Sequence, residues 1–298
     1  MEKRVLGKSA LAISRIGFGC MSLGEKDTDN RYLLHAAIEK GINFFDTADL
    51  YDKGNNEATL GKALKEKRKD IIIATKVGNQ LKPDGNGWTW NPSKEYILSA
   101  VNQSLQRLQT DYIDLYQLHG GTMDDNIEET IEAFTILQQQ GKIRFYGISS
   151  IRPNVIRAYT HRSAICSVMM QYSLLDRRPE ESCFDLLTDN HIGVLARGGV
   201  AGGLLINKPA KNYLNYAEAA VKKAADAIGE VSGNKRNKTA TALQFVLQQP
   251  AITSAIVGIR NMQQLEDAVQ AIDAAPLEKN EMEALRRAVP LNYYKEHR

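Results

Sequence analysis

The chain has 298 residues, 43% apolar and 24% charged, which is the balance of a globular protein long enough to bury a large core. Its net charge of +3, from 38 basic against 35 acidic residues, is too even for a protein built mainly to hold nucleic acid or an anionic membrane. Three cysteines without a CxxC pair, an N-terminus lacking a signal-peptide apolar run, and no stretch near the ~18 apolar residues of a membrane span set the expectation of a cytoplasmic protein.

Arg4-Val5-Leu6 and Ala12-Ile13-Ser14, around Gly7-Lys8-Ser9, read as an opening hairpin. Ile16 to Gly19 is the first strand. Asp29 to Lys40 puts Leu33, Leu34, Ala37 and Ile38 on one helical face, stopped by Gly41. Asn43 to Asp46 is the second strand, Asn55 to Lys67 a polar helix, and the β-branched run Ile71 to Thr75 the third strand. Ser93 caps a helix carrying Ile97, Val101, Leu105 and Leu108. Tyr112 to Leu118 is a strand, and Ile127, Ile131, Phe134 and Leu137 mark a helix ended by Gly141. The pattern then runs through a strand at Ile143 to Ile148, a helix opened by Pro153, a strand at Ser167 to Tyr172, a helix at Pro179 to Asp189 and a strand at Ile192 to Ala196. Helices at Ala217 to Ile228 and Thr239 to Gln248, a strand at Ser254 to Val257, and a last regular helix with Leu265, Ala268, Val269 and Ile272 complete it.

Continuous apolar strands alternating with amphipathic helices imply a parallel sheet covered on its outside. Eight such units in roughly 250 residues is the arithmetic of a closed (β/α)8 TIM barrel, with the hairpin over its N-terminal mouth. No composition shift marks a second domain, so residues 1–298 are expected to form one. The open doubly wound sheet is the alternative, but neither GxGxxG nor GxxxxGK[ST] occurs. Two stretches break the rhythm, Gly78 to Pro92 with Trp88 and Trp90, and Arg197 to Tyr216 with Gly198, Gly199, Gly202 and Gly203. Both follow strands, so both are placed as long loops at the C-terminal mouth.

Reactive side chains of such a barrel sit at the C-terminal strand ends. There the chain carries Asp46 and Tyr51, Lys76, His119, Ser149 and Ser150, Gln171, Arg197, and Gly258 with Arg260. A lysine ammonium beside a tyrosine favours the phenolate, a carboxylate can hold that lysine charged, and a histidine can bond a substrate oxygen. Together Asp46, Tyr51, Lys76 and His119 form a set able to protonate a carbonyl oxygen while its carbon accepts hydride. Read singly, each has an ordinary structural role: Asp46 as a turn residue, Tyr51 in packing, Lys76 in an ion pair, His119 as a structural hydrogen-bonder. The five histidines make no HxxH or HExxH pair, so no metal is expected. Gly147-Ile148-Ser149-Ser150-Ile151 lacks the last Gly of a hydrolase elbow, Met169-Met170 reads as core, and Lys235-Arg236-Asn237-Lys238 as a solvated loop.

The chain resembles the aldo-keto reductase superfamily, in its bacterial YqkF-type branch, over nearly its whole length. The resemblance rests on Gly17-Phe18-Gly19-Cys20-Met21, Asn43-Phe44-Phe45-Asp46-Thr47-Ala48 with Tyr51, and Ala74-Thr75-Lys76. It continues through Asp111 to His119, Gly147-Ile148-Ser149 and Gln171-Tyr172-Ser173-Leu174-Leu175. It implies an NADPH-dependent reductase of aldehydes or ketones with Tyr51 as general acid, Lys76 and Asp46 tuning it, and His119 orienting the carbonyl. NADPH/NADP+ is then expected against Gly19, Cys20, Met21 and Asp46, with Ser149 and Gln171 on the carboxamide and Arg197 at the nicotinamide. The loop of Gly198, Val200, Gly203, Leu204 and Lys208 is expected over the pyrophosphate. Gly258, Arg260, Gln264 and Asp267 are expected at the adenosine phosphate end.

The substrate, a small carbonyl compound, is expected among Met21, Tyr51, Trp88, Trp90 and His119, with no nucleic-acid or membrane partner; the sequence is silent on oligomeric state. Four features depart from the family: Ser150 and Ala268 where Asn is usual, Arg197-Gly198-Gly199 for aromatic-Ser-Pro, and a bare Gly120-Gly121 after His119. Two other functions compete. One is a cofactor-bound regulatory or assembly subunit with little turnover. The other is a Schiff-base aldolase using Lys76, which would need that lysine neutral.

Overall fold

In the computed structural model, which describes residues 1–298, the short apolar runs become strands because their branched and aromatic side chains fit a pleated sheet buried on both faces. Eight parallel strands close into a barrel. They are β3 (Ile16–Gly19), β4 (Phe44–Asp46), β5 (Ile72–Val77), β8 (Ile113–Leu118), β9 (Ile143–Ser149), β10 (Ser167–Gln171), β11 (Gly193–Arg197) and β12 (Ile252–Gly258). The antiparallel hairpin β1 (Lys3–Val5) and β2 (Ala12–Ser14) precedes them. Around the barrel lie α1 (Asp27–Glu39), α2 (Asn55–Leu64), α3 (Lys94–Leu108), α4 (Ile127–Gln139), α5 (Pro153–Arg162), α6 (Cys183–Asp189), α7 (Glu218–Ser232), α8 (Lys238–Leu247), α9 (Met262–Asp273) and α10 (Lys279–Ala288). No helix is long and apolar enough to cross a membrane.

The barrel interior follows from the period of two along each strand. Leu6, Leu11 and Ile13 of the hairpin region pack with Phe44, Ala74, Leu115, Met169, Leu195 and Ile256 in one inner cluster. Two residues further along, the same inward rows carry Asp46, Lys76, Gln117, Gln171, Arg197 and Gly258. Five of these six rows are thus apolar at the bottom and polar at the mouth, and the sixth ends in Gly258. The intervening residues, such as Phe45, Ile73 and Tyr116, face the helices in the large outer core. Strand register levels the polar layer, pairing Gly19 with Asp46, Lys76 with Gln117, and Gln171 with Arg197.

The hairpin closes the N-terminal mouth. Gly7 turns there at φ +53°, and a Cβ would stand 2.2 Å from the Cys166 carbonyl, so no larger residue fits. Arg15 is buried beside it and its guanidinium donates to the carbonyls of Leu247, Ile252 and Thr253.

Four expectations are corrected. Pro179 to Asp189 is not one helix: a 3-10 turn at Arg178–Glu181 gives way at Ser182 to the short α6. Glu180 holds the first part in place, accepting from Tyr172 Oη at 2.6 Å and pairing with Arg177 and Arg286. The helix containing Leu265 is not the last, because α10 follows, opened by a capping box of Glu278 and Glu281. Gly78 to Pro92 is not wholly irregular but contains a hairpin, β6 (Asn79–Leu81) with β7 (Trp88–Trp90). Lys235 to Lys238 is not simply solvated: Arg236 is buried, donates to the Val231, Ala275 and Pro276 carbonyls and pairs with Glu281 at 2.7 Å.

Candidate active site

At the C-terminal mouth a cavity of about 940 Å³ is lined by Gly19, Met21, Asp46, Tyr51, Lys76, Trp88, Trp90, His119, Ser149, Gln171, Arg197, Gly198 and Gly258 among the residues singled out from sequence. Cys20, Val200, Gly203, Leu204, Lys208, Arg260, Gln264 and Asp267 lie outside that lining. Cys20 is fully buried, and its carbonyl is taken by Asn56 Nδ2 at 2.8 Å. Lys208 folds over Gly203, with its methylenes 3.2 Å from where a Cβ would be. Asp267 accepts from Gln263 and Asn237, and Ala268 is buried in the core.

The four polar residues of the mouth converge. Lys76 is 1% exposed and its Nζ reaches Asp46 Oδ2 at 2.7 Å, the Thr47 carbonyl at 2.7 Å and Tyr51 Oη at 3.4 Å. An ammonium has three donors, so all are occupied. Burial alone disfavours the ammonium, but the Asp46 carboxylate and the Tyr51 oxygen outweigh it and hold Lys76 above the ordinary lysine pKa. Burial pushes the Asp46 carboxyl up, opposed by Lys76 and by Gln117, whose Nε2 approaches Asp46 Oδ1 at 3.4 Å. The His119 ring stands edge-on to Tyr51, centroids 5.8 Å apart, and its buried Nδ1 has no hydrogen-bond partner. Burial first, then Lys76 and Arg197, lowers the His119 pKa to about 3, so this imidazole is neutral at physiological pH.

Sequence reading missed several members. Gln117 sits two residues before His119 on β8 and faces inward by the period of two, a signal that was available. Asn79, whose Nδ2 approaches the His119 carbonyl at 3.4 Å, and Arg152, Ile151 and Tyr213 in the cavity lining carried no such signal because they lie in loops or at a hairpin edge.

A nicotinamide carboxamide needs both a donor and an acceptor. Ser149 and Gln171 could supply them: both line the cavity, neither side chain makes a hydrogen bond within the protein, and the neighbouring Ser150 accepts the Arg152 N–H instead. The residues present therefore fit a nicotinamide.

Comparison with known proteins agrees. Residues 15–290 match the family model described as Aldo/keto reductase family. The chain is 50% identical to the uncharacterized oxidoreductase YqkF of Bacillus subtilis over the whole of both proteins. It is 31% identical to the aldo-keto reductase YhdN of the same organism, over 89% of this chain and 87% of that one. The holo form of aldo-keto reductase AKR11C1 from Bacillus halodurans superposes with a TM-score of 0.93 at 50% identity, covering 100% of this chain and 99% of that one. The chain belongs to the aldo/keto reductase family, oxidoreductases that act on small carbonyl compounds with a nicotinamide cofactor.

Proposed function

We propose that residues 1–298 act as one barrel domain that reduces aldehydes and ketones to alcohols with NADPH. The carrying observation is the Lys76 ammonium, fully engaged with Asp46, Thr47 and Tyr51. When bound, NADPH supplies the hydride. Tyr51 gives its phenolic proton to the carbonyl oxygen, and the adjacent ammonium stabilises the phenolate left behind. Asp46 keeps that ammonium charged and in place. His119 is neutral, and an unpaired buried acceptor costs less than an unpaired buried donor. Its proton therefore belongs on Nε2, where it bonds the substrate oxygen. Met21, Trp88 and Trp90 give the cavity apolar walls for the remainder of the substrate.

On the cofactor side, Ser149 and Gln171 would hold the carboxamide, and Arg197 would pack against the nicotinamide. Gly198, Val200, Gly203, Leu204 and Lys208 would hold the pyrophosphate. The preference for NADPH is supported by Arg260, exposed before α9, whose backbone N–H donates to Gln264 Oε1 at 2.9 Å and whose guanidinium joins no ion pair. The three free cysteines, all buried, support a reducing, cytoplasmic setting. A Schiff-base lysine must be a free amine, and the engaged, raised-pKa Lys76 disfavours that reading.

The test is oxidation of NADPH and NADH with 4-nitrobenzaldehyde. Turnover with NADPH at the higher kcat/KM is expected, and no oxidation of either cofactor would refute the proposal. Arg260→Ala is expected to weaken NADPH by roughly 1.5–3 kcal/mol, the range for a lost charged hydrogen bond, while sparing NADH. Equal weakening of both would remove Arg260 from the 2′-phosphate.

A further inference from the structure

The mouth holds one charged group that carbonyl reduction does not employ. Arg152 lies between β9 and Pro153, the first residue of α5, and lines the same cavity as Tyr51 and His119. Its Nη1 donates to the Gly121 carbonyl, and its backbone N–H donates to Ser150 Oγ at 3.2 Å. The side chain is half-buried yet pairs with no carboxylate, whereas Arg144, Arg162, Arg177 and Arg178 each hold one. Asp46 is the one carboxylate in the cavity lining, and Lys76 occupies it.

The Gly121 contact brings the Arg152 guanidinium to the His119 side of the mouth. Around the closed barrel, β5, β8 and β9 are neighbours and carry Lys76, His119 and Arg152 at or just beyond their C-terminal ends. Arg197 ends β11, two strands beyond β9, beside Gln171. Between His119 and the Arg152 contact lie only Gly120 and Gly121, with φ of +146° and +115°. A Cβ on Gly120 would come within 3.3 Å of the Trp90 ring, so that ring lies against bare backbone. The backbone between His119 and the Arg152 contact therefore carries no side chain of its own and is flanked by Trp90.

We infer that Arg152 receives a carboxylate carried by the substrate, so that the preferred substrates are aldehydes or ketones bearing a carboxylate across a short spacer. The inference rests on the reductase reading. A guanidinium offers a planar fork matched to a carboxylate, and a half-buried, unpaired one gains more from an anion than a solvated one does. Neutral His119 does not compete for that anion.

The experiment measures kcat/KM on matched pairs, 4-oxobutanoate against butanal and 4-formylbenzoate against its methyl ester. Wild type is expected to favour the acids by roughly 10- to 100-fold, the range of a charged hydrogen bond. Arg152→Gln should remove that advantage through KM, leave the neutral aldehydes within about threefold and leave NADPH affinity unchanged. No acid preference in wild type, or equal losses on acid and neutral partner, overturns the inference. Glyceraldehyde and glyceraldehyde 3-phosphate run in parallel, and a larger Arg152-dependent gain there overturns the carboxylate assignment. A protein that turns over no aldehyde at all refutes the reductase reading instead. Arg152 is then tested by benzoate binding to the NADPH-loaded protein, followed through tryptophan fluorescence: loss of binding in Arg152→Gln supports the subsite, and binding equal to wild type overturns it.

Discussion

The two ends of the barrel treat arginine in opposite ways. At the N-terminal mouth Arg15 is buried under the hairpin and donates to three carbonyls from two separate stretches of chain. At the C-terminal mouth Arg152 and Arg197 line an open cavity and hold no carboxylate. A buried polar group without a partner costs stability, so such groups persist where a ligand completes them. The closed end spends its polar groups on holding the fold, and the open end keeps them available.

The sharpest way to break this contrast is Tyr51→Phe. Losing the general acid should lower kcat by roughly 10²–10⁴-fold while thermal stability and cofactor affinity stay as in wild type. A variant within threefold of wild type would remove Tyr51 from the chemistry. Arg15→Ala should do the reverse: it leaves three carbonyls short of donors at the closed end and should cost about 2–4 kcal/mol in denaturant unfolding, with kcat/KM of the folded fraction unchanged. A loss below 0.5 kcal/mol would show that the hairpin closes the barrel without it.

Asp49 adds a carboxyl group just beyond the C-terminal end of β4. It sits two residues before Tyr51, its Oδ1 has no partner, and burial, then Glu57, pushes its pKa up to about 7 from 3.8. The folded chain thus keeps a proton that the unfolded chain releases near pH 4, so the contribution of Asp49 to stability is fully present below that pH and is lost as pH rises through about 7. The full difference is on the order of 4 kcal/mol. Asp49→Asn should be more stable than wild type at pH 8 by roughly 2–4 kcal/mol, with the gap closing toward pH 4. A variant less stable at pH 8 would contradict this.

The smallest effect concerns Arg197. A cation stacked on the nicotinamide should disfavour the oxidised, cationic ring. Arg197→Trp, which restores a stack without charge, should therefore bind NADP+ a few-fold better relative to NADPH, on the order of 1 kcal/mol. An unchanged affinity ratio from titration of both forms would place the guanidinium elsewhere.

These contrasts were unevenly legible in the sequence. The inward rows were readable, because Phe44 with Asp46, Ala74 with Lys76, and Leu115 with Gln117 and His119 follow a strict period of two. The placement of Tyr51 beside Lys76 was readable only once the barrel put both at one mouth. Arg236 was not, since a charged tetrapeptide reads as solvated, and its burial depends on the Ala275 and Pro276 carbonyls some forty residues away. The break at Ser182 has the same origin, because Arg286 of α10 helps hold Glu180. Arg152 carries no local signal beyond preceding a helix-opening proline, and the Gly121 contact turns it toward the cavity. Local pattern specifies elements and faces; pairings made across the chain decide which charges are buried, held or left open.

The most direct test of the chemistry at the open end follows the transferred atom itself. The protein is incubated with 4-nitrobenzaldehyde and NADPH carrying two deuterium atoms at C4 of the dihydronicotinamide, and the product is analysed by mass spectrometry, with a parallel sample treated with borohydride. The expected product is 4-nitrobenzyl alcohol with one deuterium on the benzylic carbon for each cofactor oxidised, with no adduct on Lys76. Product without deuterium, or substrate trapped on Lys76, would contradict it.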